Sequence, residues 1–349
     1  MLDSIEIRNF RCFRHLEPVS LKPINVIVGE SGSGKTSLME AIFLHGGGSP
    51  EIYFRLRTWR GFGNAPVVVG TKESWELIFR DMFYAFDVSK VPTITSIDSE
   101  NGRREFEVYF KNQDSYSLDL TGNNENAFVM KPSVFKWVVN GTVYESTIDR
   151  EENAFKVKGS APVSPLAYFN PVNASMSQAA AAFSSISRRF NAGELLVEVQ
   201  NSFPFVKEIN LEVVGGEPTI HLSSGLSERL PLGDASGGLM KFVVIALGIL
   251  ANRGGTVLVD EIESNFYYKN VPDIWESLIR LCDHSNTQII ATTHSYEFLK
   301  GISRSLESES TAKNFQLLRM TKVEGDQPSV KRVKGSDYLT AIQNEYEVR

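Results

Sequence analysis

At 349 residues the chain is long enough for one large domain or two ordinary ones, and 42% hydrophobic with 22% charged residues is the composition of a folded globular protein, not a disordered one. A formal net charge of −6 excludes blanket attraction to nucleic acid, so any DNA contact has to be a local patch. Only Cys12 and Cys282 are present, far apart and outside any Cys/His cluster, which argues for buried, inert thiols and against a disulfide framework or zinc site.

Residues 1–8 have neither the basic start nor the apolar core of a secretory signal, and the longest apolar run, 242–251, is too short to span a bilayer. A cytoplasmic protein with no membrane contact is expected. Ile5 and Ile7, then Phe10 and Phe13, alternate with polar residues and lead into the apolar run 24–28, which reads as strand, turn, strand. Good helix formers follow over 36–44 and stop at Gly46, Gly47 and Gly48. Between that strand and helix lie Gly29, Glu30, Ser31, Gly32, Ser33, Gly34, Lys35 and Thr36, followed by Ser37. This is a G-x-x-x-x-G-K-T phosphate loop in the strand–helix setting the motif requires. Its glycines let backbone N–H groups close around phosphate oxygens, and the helix adds its positive N-terminal end. Lys35 reaches the terminal phosphates and Thr36 can ligate Mg²⁺, so ATP is the expected ligand.

Over 92–158 the texture changes to alternating stretches punctuated by Asn101-Gly102 and Asn140-Gly141, both hairpin signals, which predicts an antiparallel β-rich segment. Two helices are expected between 176 and 200. From 236 the order becomes helix (236–251), strand (256–259), helix (about 267–283), strand (287–291) and helix (about 295–306), the alternation of a mainly parallel, helix-covered sheet. Two strand-like pieces and a last helix, starting near Ser336 and Asp337 as N-cap, complete the chain.

Three further constellations bear chemistry. The apolar strand 256–259 ends in Asp260 and Glu261; in phosphate-loop enzymes an acid there holds Mg²⁺ and a second polarises the attacking water, whereas alone the pair is a strand running into a solvated turn. Ser236, Gly237 and Gly238 open an apolar helix, where a hydroxyl and glycines can approach an anion or simply cap the helix. His294 directly follows the next strand, at the carboxyl edge where ligands of such sheets bind, which favours a γ-phosphate contact.

These four motifs in this order resemble the ATP-binding-cassette ATPases, and more narrowly the branch of RecF, Rad50, SMC and OLD-type proteins. Residues 5–13, the run Asp260, Glu261, Ile262, Glu263, residues 291–297 and the closing Glu347, Val348 and Arg349 carry the narrower likeness, which is closest to compact OLD-like ATPases. The resemblance implies an α/β P-loop NTPase built as a single ABC-type head over 1–349. Its divisions would be 1–91 (N-terminal strands, phosphate loop and following helices), 92–170 (antiparallel β-rich subdomain), 171–235 (helical lobe and strands) and 236–349 (signature helix, carboxylates, His switch and C-terminal elements). It further implies that two copies sandwich ATP in a head-to-tail dimer or higher oligomer. Ser236, Gly237 and Gly238 of one copy would act in trans on nucleotide bound at 29–37 of the other, with Thr36 and Asp260 on Mg²⁺ and Lys35, Glu261 and His294 catalytic. The chain departs from the family's pattern at Ser264, Asn265, Phe266, Tyr267 and Tyr268 and at Leu239 and Met240, and Gln178 is a weak candidate for the Q-loop glutamine.

About 200 residues separate Lys35 from Ser236 and read as strands and short helices, which excludes a long coiled coil. Neither a Toprim nor a His-Asn-His nuclease pattern is seen. The expected role is therefore an ATP switch for a separately encoded effector, such as a nuclease or toxin of a bacterial anti-phage system. A RecF-like DNA repair clamp is the alternative, using Arg55, Arg57, Arg60, Arg103, Arg104, Arg188 and Arg189 on phosphates. A transporter's nucleotide-binding subunit is a more distant one.

Overall fold

The computed structural model describes residues 1–61, 77–110, 133–151, 154–170, 176–189, 192–323, 327–344 and 346. The chain opens with β1 (Leu2–Phe10), β2 (Phe13–Ser20) and β3 (Ile24–Gly29), then α1 (Lys35–Gly46) and α2 (Glu51–Trp59). Five antiparallel strands follow: β4 (Thr93–Asp98), β5 (Gly102–Phe110), β6 (Ser133–Val139), β7 (Thr142–Glu151) and β8 (Ala154–Lys158). After β9 (Leu166–Phe169) come α3 (Met176–Arg188), α4 (Ala192–Ser202), β10 (Glu208–Val214), β11 (Glu217–Ser223) and β12 (Leu230–Pro231). The last third runs α5 (Gly237–Ala251), β13 (Thr256–Val259), α6 (Val271–Ser285), β14 (Gln288–Thr292), α7 (Tyr296–Ile302), α8 (Glu309–Asn314), β15 (Phe315–Val323), β16 (Gln327–Lys334) and α9 (Gly335–Gln343).

The strands form three sheets: seven antiparallel in the order β2-β1-β4-β5-β6-β7-β8, six in the order β16-β15-β3-β14-β13-β9, and three in the order β10-β11-β12. In the six-stranded sheet every pairing is parallel except the β15–β16 hairpin, so β3, β13, β14 and β15 all end on one edge. Alternation along these strands separates two cores. Val26 and Val28, Val257 and Val259, Ile289 and Ala291 and Leu317 face the helical side, whereas Ile27, Leu258, Ile290, Leu318 and Met320 face α1. Helix α1 lies between this sheet and the seven-stranded one, with ten of its twelve residues buried.

The apolar run 242–251 is the interior of α5, every residue from Phe242 to Leu250 being buried, and each large side chain so covered contributes roughly 1.5–3 kcal/mol. No helix among the described residues is long and apolar enough to cross a membrane. The Asn140-Gly141 signal becomes a tight hairpin turn with both residues at positive φ, 50° and 83°, and the Asn140 carboxamide accepts a hydrogen bond from Arg103 N at 3.0 Å.

Two expectations are corrected, and a third falls outside the described residues. Strands expected as a separate segment over 92–170 do not stand alone, because β4 pairs with β1 (Ile5 opposite Ser96, Ile7 opposite Ile94) and β9 leaves to pair with β13. The last helix starts at Gly335 with Lys334 at its N-cap and no side-chain cap, so neither Ser336 nor Asp337 caps it. The closing residues 347–349 lie outside the described residues.

Candidate functional site

Because β3 is central and parallel to both neighbours, its carboxyl end delivers the glycine loop to the middle of the sheet edge. Gly34, at φ 99°, is the N-cap of α1, a left-handed conformation that turns the chain sharply from loop into helix. Lys35 is 6% exposed, and its Nζ donates to the carbonyls of Gly29 at 2.7 Å and Glu30 at 2.9 Å, so the ammonium lies inside the loop's own curve. Burial holds its pKa below the usual lysine value, while Asp260, Glu263 and Glu261 pull it upward. The Ser33 hydroxyl is buried with no hydrogen-bond partner among the described residues. An orphaned donor beside a buried lysine is a fit for a polyanionic oxygen cluster.

The neighbouring strands bring the acids. Asp260, 7% exposed at the end of β13, accepts from the Thr36 hydroxyl at 3.0 Å and from the Tyr168 hydroxyl at 3.4 Å on Oδ2, and from the Thr292 hydroxyl on Oδ1. The Thr36 oxygen and the Asp260 carboxylate thus stand close enough to share one small divalent cation, hard oxygen donors of the kind Mg²⁺ takes. Tyr168 is buried, and burial together with the Asp260 charge raises its hydroxyl well above the usual tyrosine range, so it stays protonated and donates to Asp260.

Glu261 is exposed and adopts φ 48°, an uncommon conformation for a side-chain-bearing residue; its N–H donates to Thr292 Oγ1 at 2.8 Å. One hydroxyl on β14 therefore holds both Asp260 and the backbone of Glu261. Glu263 continues the turn: Oε1 accepts from the His294 backbone N–H at 2.8 Å, and Oε2 is buried without a partner among the described residues. His294 is exposed and lines a cleft of 640 Å³ with Gly29, Glu30, Ser31, Ser33 and Arg319.

The structure therefore brings Lys35, Thr36, Asp260, Glu261 and His294 to one edge. It does not bring Ser236, Gly237 and Gly238 there. Ser236 caps α5, its hydroxyl accepting from Leu239 N at 3.4 Å, and no hydrogen bond among the described residues joins 236–238 to 29–37. Ser236 and Gly237 face solvent. Gln178 sits on α3 beside a separate 330 Å³ pocket floored by Phe43, Trp59 and Tyr168, away from the phosphate loop. Three of the arginines weighed for DNA are engaged internally: Arg57 donates to Ile78 O at 2.6 Å, Arg60 to both Glu40 oxygens at 2.8 and 2.7 Å, and buried Arg104 to His45 O at 2.7 Å.

Sequence reasoning missed Tyr168, Thr292, Glu263, Lys241 and Arg319. Thr292 stood in the Thr-Thr-His run and could have been noticed. Tyr168 carries no local signal, since only the pairing of β9 with β13 sets it beside Asp260.

Known proteins resemble this chain in the same terms. Residues 1–131 match a family model described as "AAA ATPase domain" and residues 145–300 one described as "AAA domain, putative AbiEii toxin, Type IV TA system". A Helicobacter pylori protein named ATP/GTP phosphatase is 21% identical over 355 residues, spanning 91% of each chain. The DNA replication and repair protein RecF of Idiomarina loihiensis is 35% identical over 103 residues, 29% of this chain and 25% of that protein. Among solved structures, an SMC head bound to the C-winged helix domain of ScpA superposes with a TM-score of 0.52 at 13% identity, covering 95% of this chain and 98% of that one. At that identity the likeness is one of fold. The fold is that of an SMC head, and in sequence the chain is similar to AAA-type ATPases and, over a shorter stretch, to RecF. With the glycine loop at its sheet edge, the chain is an ATP-binding, ATP-hydrolysing P-loop protein.

Proposed function

We propose that the chain is an ATP-gated head that closes on a second copy of itself and works as a switch for a separate effector. The observation that carries this reading is the division of the motifs. The phosphate loop, Asp260, Glu261 and His294 share one edge, while Ser236 and Gly237 stand exposed and no hydrogen bond among the described residues joins 236–238 to them. A site so divided is completed when the signature of one head covers nucleotide held by another.

In that closed state Gly29–Ser37 cradle the triphosphate and Lys35 turns from the loop carbonyls to the β- and γ-phosphates. Mg²⁺ held by Thr36 and Asp260 would neutralise phosphate charge. Glu261 accepts a proton from the attacking water, His294 hydrogen-bonds the γ-phosphate, and Ser236 with the N–H groups of Gly237 and Gly238 reaches it from the partner copy, yielding ADP and phosphate. Glu261→Gln keeps the shape and removes the base. It is expected to slow hydrolysis by about 10²–10³-fold and to accumulate ATP-bound dimers in light scattering. Monomers in ATP with undiminished turnover would refute the reading.

Support for a defence role comes from the match of residues 145–300 to the AbiEii-type model. The effector would be a nuclease or toxin encoded nearby, tested by co-purification and by loss of phage protection when Lys35 is replaced. Short RecF matches favour a second reading, a DNA clamp. Exposed Arg55 and Arg188 are candidates for it, and an ATP-stimulated, salt-dependent DNA mobility shift is its test.

A further inference from the structure

The first turn of α5 is tied to the turn that carries the catalytic carboxylate. Lys241, five residues after Ser236, sends its half-buried Nζ across to that turn and donates to Glu261 O at 2.7 Å, Ser264 O at 3.0 Å and Ser264 Oγ at 2.6 Å. These three bonds use the whole donor capacity of an ammonium. The Phe266 ring lies 5.4 Å from the same nitrogen. The backbones are pressed together as well, since a Cβ on Gly238 would come within 2.9 Å of Asn265 O. On its far side the turn is fastened to β14 and the His294 loop by Glu261 N to Thr292 Oγ1, Ile262 N to Thr292 O at 2.9 Å, and His294 N to Glu263 Oε1.

The three bonds hold in place a residue whose backbone resists its own conformation. Glu261 occupies left-handed space, where a side-chain-bearing residue stays only if its surroundings over-determine it. Lys241 grips the carbonyl of that residue and Thr292 its N–H. Any displacement of the signature helix is therefore delivered to the peptide units flanking the Glu261 side chain.

We propose that Lys241 is a positioning residue that couples the two ATP sites of the dimer: engagement of Ser236–Gly238 on the partner's nucleotide sets, through Lys241, the aim of Glu261 in the same chain's own site. The inference rests on the dimer reading above. It makes hydrolysis at one site depend on occupancy of the other without any contact between Lys241 and nucleotide.

The test is steady-state hydrolysis against ATP concentration on the full chain, with light scattering in ATP and binding of a fluorescent ATP analogue, for wild type, Lys241→Met and Lys241→Arg. Methionine keeps the apolar stem and removes the donors; arginine restores donors of another shape. Lys241→Met is expected to bind the analogue within about twofold of wild type and still dimerise, to lose about 10- to 100-fold in kcat, and to become non-cooperative, with partial recovery in Lys241→Arg. Wild-type kcat and cooperativity in Lys241→Met would overturn the coupling and leave the dimer standing. A wild type that stays monomeric in ATP and hydrolyses without cooperativity would overturn the dimer reading and the coupling with it. A loss in Lys241→Met accompanied by weak analogue binding and a lowered melting temperature, unrecovered by arginine, would reduce Lys241 to a folding role and likewise overturn it.

Discussion

The two large sheets grip opposite ends of α1, and they do so for different purposes. The six-stranded sheet meets its N-terminus, where parallel strands end side by side and each contributes a functional group: the glycine loop from β3, Asp260 and Glu261 from β13, Thr292 and His294 from β14, Arg319 from β15. The seven-stranded sheet meets the middle and C-terminal end, and its antiparallel strands finish alternately at opposite edges, so no comparable edge collects side chains. What it supplies is anchorage. Arg104 of β5 donates to the His45 and Gly47 carbonyls at the end of α1, and Ser96 of β4 reaches His45 Nε2 at 3.0 Å. Arg11, from the β1–β2 turn, pairs with buried Glu40, and burial lifts that carboxyl to about 7 against the pull of Arg11. Parallel order concentrates chemistry; antiparallel order here fixes the helix on which the chemistry depends.

The comparison predicts that damage at the first end abolishes activity and damage at the second end changes stability. The largest effect is expected at Lys35: Lys35→Ala should lower ATP hydrolysis by about 10²–10³-fold or more and abolish binding of a fluorescent ATP analogue, while urea denaturation shows a nearly unchanged fold. A variant that unfolds instead would erase the division of labour.

At the other end the sensitive group is His45. Complete burial, with the Arg104 charge adding to it, lowers its pKa from 6.5 to about 3, so the folded protein holds the ring neutral while the unfolded chain takes up a proton below 6.5. Stability from this site is fully present above pH 6.5 and declines as pH falls toward 3, by about 1.4 kcal/mol per pH unit. His45→Gln should flatten that slope in urea melts between pH 7 and pH 4.5 and leave kcat at neutral pH nearly unchanged. An unaltered slope would place the acid sensitivity elsewhere.

The smallest effect lies where the two ends come closest. Cys12, in the β1–β2 turn of the seven-stranded sheet, leans on the loop of the other: a Cβ on Gly34 would stand 3.0 Å from its sulfur. Burial raises the Cys12 thiol, so it reacts slowly at neutral pH, and Cys282, the other cysteine, is buried with its thiol pushed far higher. Alkylation by iodoacetamide should fall mainly on Cys12 and be slowed several-fold by ATP, on the order of the fraction of time the loop is occupied. Equal rates with and without ATP would separate the turn from the nucleotide.

Legibility followed the distance between interacting residues in the chain. Gly29 to Thr36 form a contiguous motif whose geometry is local, and Asp260, Glu261 and His294 each follow an apolar strand, so a strand–turn pattern announced them. Tyr168 meets Asp260 only because β9 flanks β13, with no pattern in its segment to say so, and Thr292, though next to the Thr-Thr-His signal, reaches Asp260 only through the β13–β14 pairing. The seven-stranded sheet was half visible: Asn101-Gly102 and Asn140-Gly141 marked its hairpins, but the β1–β4 pairing joins residues some ninety apart, and turn chemistry says nothing about such partners.

By itself the sequence determined the chemistry of the phosphate loop and the identity of the acids, because backbone freedom at glycine and the charge of Lys and Asp are properties of residues. The tertiary structure alone decided which hydroxyls hold Asp260, that Lys241 fastens the signature helix to the Glu261 turn, and that Ser236 and Gly237 face solvent apart from the loop. Those are matters of sheet order and helix placement, set by how two cores are shared across one sheet, and no window of neighbouring residues contains them.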